Sequence, residues 1–227
     1  MPLLYTIGMY TVAPAVRLAL RPKVEGLEHV PATGGAVLAG NHLSVADEYI
    51  MGSVIPRHIA FWAKSEYFNG TGLSGWGMKT LMNGLGAIEV NRAGGRAALT
   101  ALDAAIPALQ SGDLVGVYPE GTRSPDGRLY RGRTGAARLA LLAEVPIVPV
   151  GVIGTENVQP IGSKNPKLGT KVTIKFGKPI DVTGRSMDSG SLRAITDELM
   201  EAIQALTGQE YVPRYAPKRA DSGASEA

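Results

Sequence analysis

Short runs of apolar, often β-branched residues alternate along this chain with segments of helical periodicity. The runs that predict strands are 35–40, 58–63, 86–91, 113–119, 146–153 and 171–177. The segments that predict helices are 44–55, 74–83, 95–110, 134–143 and 191–206. Alternation of this kind is typical of α/β folds, in which helices cross between neighbouring strands. The sequence therefore predicts an α/β fold over residues 21–215, a single domain with a mainly parallel mixed sheet flanked by helices.

The composition limits the chemistry that such a domain can use. The chain has 227 residues, of which 44% are hydrophobic, enough for one substantial core. It has no cysteine and three histidines, which excludes zinc fingers of the cysteine type, iron–sulfur clusters, disulfide frameworks and a thiol nucleophile. We expect no metal and no cofactor, and chemistry carried by oxygen and nitrogen groups.

Positive charge is concentrated in one part of the chain. The formal net charge is only +3. Between Arg123 and Lys178, however, ten basic residues face only Asp126, Glu144 and Glu156. This asymmetry favours an anionic ligand or a membrane surface as partner, and we expect no nucleic acid.

The two ends of the chain differ from its middle. Residues 1–16 carry no charged side chain, and as a helix they would reach about 24 Å, less than the roughly 30 Å of a bilayer core. Residues 1–20 therefore predict an N-terminal helix at the membrane interface, on the cytoplasmic face as a peripheral or monotopic attachment. The alternative is an ordinary helix packed on the core. Residues 216–227 are small and polar, which predicts a disordered tail.

A histidine and an aspartate follow the first predicted strand. Because α/β folds place their sites at the carboxyl ends of strands, His42 lies where a catalytic loop is expected. Ser44 is a natural N-cap, which puts Asp47 at the third helical position, facing back toward His42. Asp47 can then hold one ring nitrogen and leave the other to accept a proton. The alternative is a capping box without chemistry. Since no G-x-S-x-G motif is present, the reacting hydroxyl is expected to belong to a substrate.

Two further predicted strands end in arginines. Arg92 can bind a phosphate together with the helix N-terminus that follows it, or be a solvated strand end. In the segment 118–124, Gly121 allows a ligand to approach the backbone. There Glu120 can accept from a hydroxyl and Arg123 can hold an anion, although a turn with a salt bridge has the same pattern.

The predicted helix 74–83 has a stripe of large apolar residues. The stripe comprises Leu73, Trp76, Met78, Leu81 and Met82. Packing in the core is the default expectation for such a stripe, and an acyl channel or lipid contact is the alternative. The preceding Gly70 to Gly75 matches G-x-G-x-x-G, but six residues separate it from the strand before it, which argues against a dinucleotide site.

Taken in order, four segments resemble the motifs of the glycerolipid acyltransferase family. They are Asn41-His42-x4-Asp47, Gly86 to Arg92, Tyr118-Pro-Glu-Gly-Thr-Arg-Ser124 and Val145 to Val150. The resemblance runs from about residue 22 to about residue 179. Tyr118 and Asn91 replace the commoner phenylalanine and aspartate, and Arg131 and Arg133 stand where lysines are frequent.

The resemblance implies a function and a role for each site residue. It implies acyl transfer from acyl-CoA or acyl-carrier protein to the sn-2 hydroxyl of 1-acylglycerol-3-phosphate (lysophosphatidic acid), with membrane lipids as surroundings. Another lysophospholipid or a glycolipid is the alternative acceptor, and a non-catalytic phospholipid-binding membrane protein is the alternative from another class. By the same likeness His42 is the base, Asp47 orients it, and Lys64 lies near the oxyanion. The contacts to phosphate and glycerol are then Arg92, Glu120, Gly121, Thr122 and Arg123.

Overall fold

A computed structural model describes residues 2–90, 96–163 and 165–217, without the side chains of Lys64 and of residues 96–101. The helices are α1 (Leu3–Leu20), α2 (Ala46–Val54), α3 (Gly72–Leu85), α4 (Arg96–Gln110), α5 (Gly135–Ala143), α6 (Thr155–Val158) and α7 (Ser189–Thr207). The strands are β1 (Lys23–Glu25), β2 (Ala36–Gly40), β3 (Ile59–Ala60), β4 (Trp62–Lys64), β5 (Ile88–Val90), β6 (Leu114–Val117), β7 (Leu129–Tyr130), β8 (Ile147–Ile153), β9 (Thr173–Phe176) and β10 (Tyr211–Val212).

Six strands form the main sheet, in the order β1-β9-β8-β2-β6-β3. All neighbours are parallel except β8 and β9, so the predicted α/β fold with a mainly parallel mixed sheet is confirmed. Strand β2 is central, with Val37 beside Val115 of β6 and Ile147 of β8. The carboxyl ends of β2 and β6 therefore lie side by side, and the loops that follow them emerge together.

The core has two halves, one on each face of the sheet. Because successive side chains of a strand point to opposite faces, Val37 and Ala39 pack with α4, α5 and α7, while Ala36 and Leu38 pack with α2 and the end of α1. All four of these β2 side chains are fully buried. Strands covered on both faces have the continuous apolar runs seen in this sequence.

One predicted strand is divided between two sheets. The segment 58–63 was expected to be continuous, but only β3 joins the main sheet, whereas β4 pairs with β5. The indole Nε1–H of Trp62 donates to the carbonyl oxygen of Gly116 at 2.8 Å, and the ring of Phe61 lies where a Cβ on Gly116 would be. These side chains occupy the edge of β6 that a longer β3 would have used.

Helix α3 is not a core helix, so the default expectation for its apolar stripe is wrong. Leu73 is 89% exposed and Trp76 is 68% exposed, and Met78 and Leu81 are exposed to a lesser degree. Helix α1 contacts both α2 and α3. It is long and apolar enough to cross a membrane by length and composition, and 11% of it is buried in the protein. The two helices thus present apolar side chains to the surroundings.

Of the predicted disordered tail, residues 218–227 lie outside the described part of the chain, as do Asn91 and Arg92.

Candidate active site

The site is built from the loops that follow β2 and β6. The side chain of Asn41, at the end of β2, both donates to the carbonyl oxygen and accepts from the N–H of Val152, each at 2.8 Å. The N–H of Ser124 donates to the carbonyl oxygen of His42 at 2.7 Å. Asn41 thus joins the first loop to β8, and Ser124 joins it to the loop after β6.

His42 and Asp47 form a hydrogen-bonded pair. His42 Nδ1 lies 2.8 Å from Asp47 Oδ2. The carboxylate is fully buried, and the same oxygen accepts from the N–H groups of Leu43 at 2.8 Å and Ser44 at 3.0 Å. Its other oxygen accepts from the hydroxyl of Thr155 on α6. Four donors therefore hold this carboxylate in place, and it in turn holds the ring that is 14% exposed.

The predicted cap at Ser44 is wrong by one residue. Helix α2 begins at Ala46, so Asp47 is its second residue and not its third. Ser44 Oγ accepts from the N–H of Ala46 at 3.1 Å and donates to the carbonyl oxygen of Gln159 at 2.6 Å. Asp47 nevertheless faces back to the N–H of Ser44. One oxygen of the Asp47 carboxylate therefore contacts both the N–H of Ser44 and Nδ1 of His42.

Tyr118 stacks on His42. The ring centroids are 3.8 Å apart and the planes are inclined by 10°. Desolvation by burial raises the pKa of the Tyr118 phenol well above its usual value, with smaller contributions from Asp47 and Glu48. Its hydroxyl has no hydrogen-bond partner in the described part of the chain.

Glu120 contacts the main chain of His42. It is 1% exposed, and its two oxygens accept from the N–H of His42 at 3.2 Å and the N–H of Tyr130 at 2.9 Å. Burial raises the pKa of this carboxyl to about 7, although the two N–H donors oppose the shift. Its contacts brace the main chain of the histidine.

The rest of the loop after β6 forms a turn. The N–H of Gly121 donates to the carbonyl oxygen of Tyr118 at 2.9 Å, and its φ of +76° is one that glycine adopts without strain. The N–H of Arg133 donates to the carbonyl oxygen of Pro119 at 2.8 Å. Thr122 and Arg123 are half-buried.

A cavity of about 800 Å³ adjoins His42 and Arg123. Apolar side chains of α1, α2, the β3–β4 segment and the end of α3 form most of its wall. They include Met9, Val12, Val16, Ile59, Phe61, Trp62, Met82 and Leu85. Glu120, Gly121 and Thr122 are not among its lining residues. The site thus joins a histidine–carboxylate pair and an arginine to a space with apolar walls.

The structure brings some of the predicted site residues together, and others lie outside the part of the chain that it describes. It brings His42, Glu120 and Arg123 of two adjoining loops together with Asp47 at the start of α2. Arg92 and the side chain of Lys64 lie outside the described residues, although the main chain of Lys64 pairs with Val90.

Sequence reasoning missed three contributors: Asn41, Tyr118 as a stacking partner, and Thr155. Thr155 is 108 positions from Asp47 along the chain, and no local pattern connects the two. The adjacency of Asn41 to His42 was the available signal for the first of them.

Comparisons with known proteins agree on one family. Residues 21–153 match the family model described as Acyltransferase. The chain is 32% identical over 158 residues to a chloroplastic 1-acyl-sn-glycerol-3-phosphate acyltransferase of Arabidopsis thaliana, covering 69% of this chain and 43% of that protein. It is 27% identical to a Bacillus subtilis protein of the same enzyme name, covering 81% of this chain and 87% of the relative. The chain thus spans less than half the length of the plant relative.

A solved structure is also similar. It is the crystal structure of the 1-acyl-sn-glycerophosphate acyltransferase PlsC from Thermotoga maritima, with a TM-score of 0.62 and 26% identity. The match covers 88% of this chain and 82% of that one.

Proposed function

This chain belongs to the acyltransferase family, and from that premise we propose that it moves a fatty acyl group from acyl-CoA or acyl-carrier protein to the free sn-2 hydroxyl of 1-acylglycerol-3-phosphate, which gives phosphatidic acid. The observation that carries the proposal is the His42–Asp47 pair beside an apolar cavity of about 800 Å³. The enzyme names of the relatives support the choice of acceptor.

In this mechanism His42 is the general base. Asp47 accepts from Nδ1–H, which leaves Nε2 as the nitrogen that takes the proton of the lipid hydroxyl. The oxygen attacks the thioester carbonyl as this proton moves to His42. The buried carboxylate stabilises the imidazolium so formed.

Collapse of the tetrahedral intermediate completes the reaction. The carbon–sulfur bond breaks, and the thiolate leaves with the electron pair and takes the proton back from His42. A thiol with a pKa of about 8.5 is a good leaving group, so one base and an anion-stabilising environment suffice. Lys64 is assigned to the oxyanion on the strength of the family resemblance.

The acceptor phosphate is assigned to arginines. Arg123 lines the cavity, which supports its role, and Arg92 is assigned by resemblance. Gly121 and Thr122 remain proposed contacts to the glycerol part. For Glu120 the two N–H bonds favour bracing of His42 over the glycerol contact that the resemblance implies.

Membrane attachment is assigned to α1 and α3. Their exposed apolar side chains, among them Tyr10, Leu73 and Trp76, are suited to the interface of a bilayer. We place the protein at the cytoplasmic face, where both thioester donors are dissolved, as a peripheral or monotopic enzyme.

The test is thiol release from palmitoyl-CoA with lysophosphatidic acid as acceptor, with phosphatidic acid identified by mass spectrometry. His42→Ala should lower turnover by about a hundredfold to ten-thousandfold, the usual contribution of a general base. His29→Gln is the matched control, since His29 contacts the carbonyl oxygen of Phe176 and is not among the cavity residues. Near-normal turnover of folded His42→Ala would remove His42 from this role.

The same assay separates the alternatives. Acceptors without the phosphate should react poorly if arginines hold it, and equal rates would favour a glycolipid or other acceptor. A parallel series with acyl-carrier protein decides the donor. Lipid binding without any thiol release would identify a non-catalytic lipid-binding protein.

A further inference from the structure

Tyr118 covers one face of the His42 ring. The two rings are almost parallel, with centroids 3.8 Å apart. The edge of the imidazole is held separately, by Asp47 at Nδ1, and the main chain of His42 is held by Glu120. Tyr118 therefore supplies a contact of a different kind from the hydrogen bonds.

The hydroxyl of Tyr118 does not explain its position. It is buried and has no hydrogen-bond partner in the part of the chain that the structure describes. The phenol is neutral near pH 7, and burial raises its pKa further above the ordinary value. What the residue contributes to His42 is consequently its ring.

A ring face attracts cations. Its quadrupole is negative above the plane, and a cation within about 6 Å of the centroid is stabilised, most strongly where water is excluded. The neutral imidazole gains little from this field, whereas the imidazolium gains more. The stack thus acts selectively on the protonated form of His42.

We propose that Tyr118 is a positioning residue whose ring face orients His42 and stabilises its imidazolium, and so influences the pH range in which His42 acts as a base. This inference rests on the proposed function for its kinetic consequence. Other charged groups near His42 among the described residues come from α2 and from the loop after β6: Asp47, Glu48, Glu120 and Arg123. They remain unchanged in the variants below.

The kinetic test compares Tyr118→Leu with Tyr118→Phe. Leucine is apolar but smaller and has no ring face, so kcat/KM should fall by about 2-fold to 30-fold. The acid limb of its pH profile should move to lower pH by about 0.5 to 1.5 units. Phenylalanine keeps the ring face. It should leave kcat/KM within about twofold of the parent value and should not move the acid limb of the pH profile.

The second readout needs no substrate. The protein has three histidines, so the ring resonances of His29, His42 and His58 can be assigned with a few variants and followed by NMR against pH. The titration midpoint of His42 should shift to lower pH in Tyr118→Leu and not in Tyr118→Phe. His29 and His58 report whether the fold is intact.

A fluorinated phenylalanine at position 118 covers the case in which Tyr118→Leu does not fold. Fluorine withdraws charge from the ring face with little change of shape, so it should move the His42 midpoint in the same direction as leucine. An unmoved midpoint in both, or an equal effect of Tyr118→Phe, would overturn the inference. If acyl transfer is absent in the parent protein, the proposed function fails while the NMR result still decides the stacking.

Discussion

At the scale of single residues, Glu120 links the stability of the site to pH. Its pKa is raised from the ordinary 4.5 to about 7, mainly by burial. Between about pH 4.5 and pH 7, Glu120 is more often protonated in the folded protein than in the unfolded chain. The free energy of unfolding therefore falls as the pH rises through this range. This contribution is fully present below about pH 4.5 and is lost as the pH passes through about 7.

We therefore expect Glu120→Gln to remove a pH dependence. Relative to this variant, the parent protein should lose up to about 3 kcal/mol of unfolding free energy between pH 5 and pH 8. Denaturant unfolding of both proteins across that range measures the difference, and other titrating groups cancel in it. The assignment would be contradicted if the unfolding free energy of the parent protein minus that of Glu120→Gln were constant with pH or increased as the pH rises.

At the scale of elements, Asn41 extends the pairing of β2 with β8 beyond the last strand residue. Its amide satisfies both main-chain groups of Val152, which are buried. This contact fixes where the chain turns out of the sheet, one residue before His42. The strand pair thereby determines the position of the base.

Asn41→Ala should destabilise the protein by about 2 to 6 kcal/mol, because two buried main-chain groups lose their partners at about 1 to 3 kcal/mol each. Denaturant unfolding measures the loss. Asn157→Ala is the control, because Asn157 is exposed and its side-chain amide donates to the exposed carboxylate of the neighbouring Glu156. A loss below about 1 kcal/mol would show that the amide is not what holds the strand end.

At the scale of the whole molecule, the apolar cavity and the exposed apolar side chains belong to the same helices. Residues of α1 and α3 line the cavity on one side and are exposed on the other. A lipid that enters from a bilayer would then pass between two apolar environments and reach His42 without crossing water.

Replacing Leu73 and Trp76 together by aspartate should weaken partitioning onto phospholipid vesicles by at least about tenfold, since each large side chain contributes about 1.5 to 3 kcal/mol when it is removed from water. Co-sedimentation with vesicles measures this. Folding should be unaffected because both side chains are largely exposed. Leu168→Asp is the matched control at 69% exposure outside both helices, and equal partitioning of the double variant and this control would refute the assignment.

The sequence by itself determined the α/β class, most strand and helix positions and the meeting of His42 with Asp47. Hydrophobic periodicity and a five-residue separation are local properties, and local geometry is enough to place such groups. Only the tertiary structure decided that Tyr118 stacks on His42, that Thr155 reaches Asp47, that Glu120 braces the loop, and that the stripe of α3 faces outward. These contacts depend on which strands become neighbours and on which surface remains uncovered. Both are set by the packing of distant segments, so no single stretch of the chain carries the information.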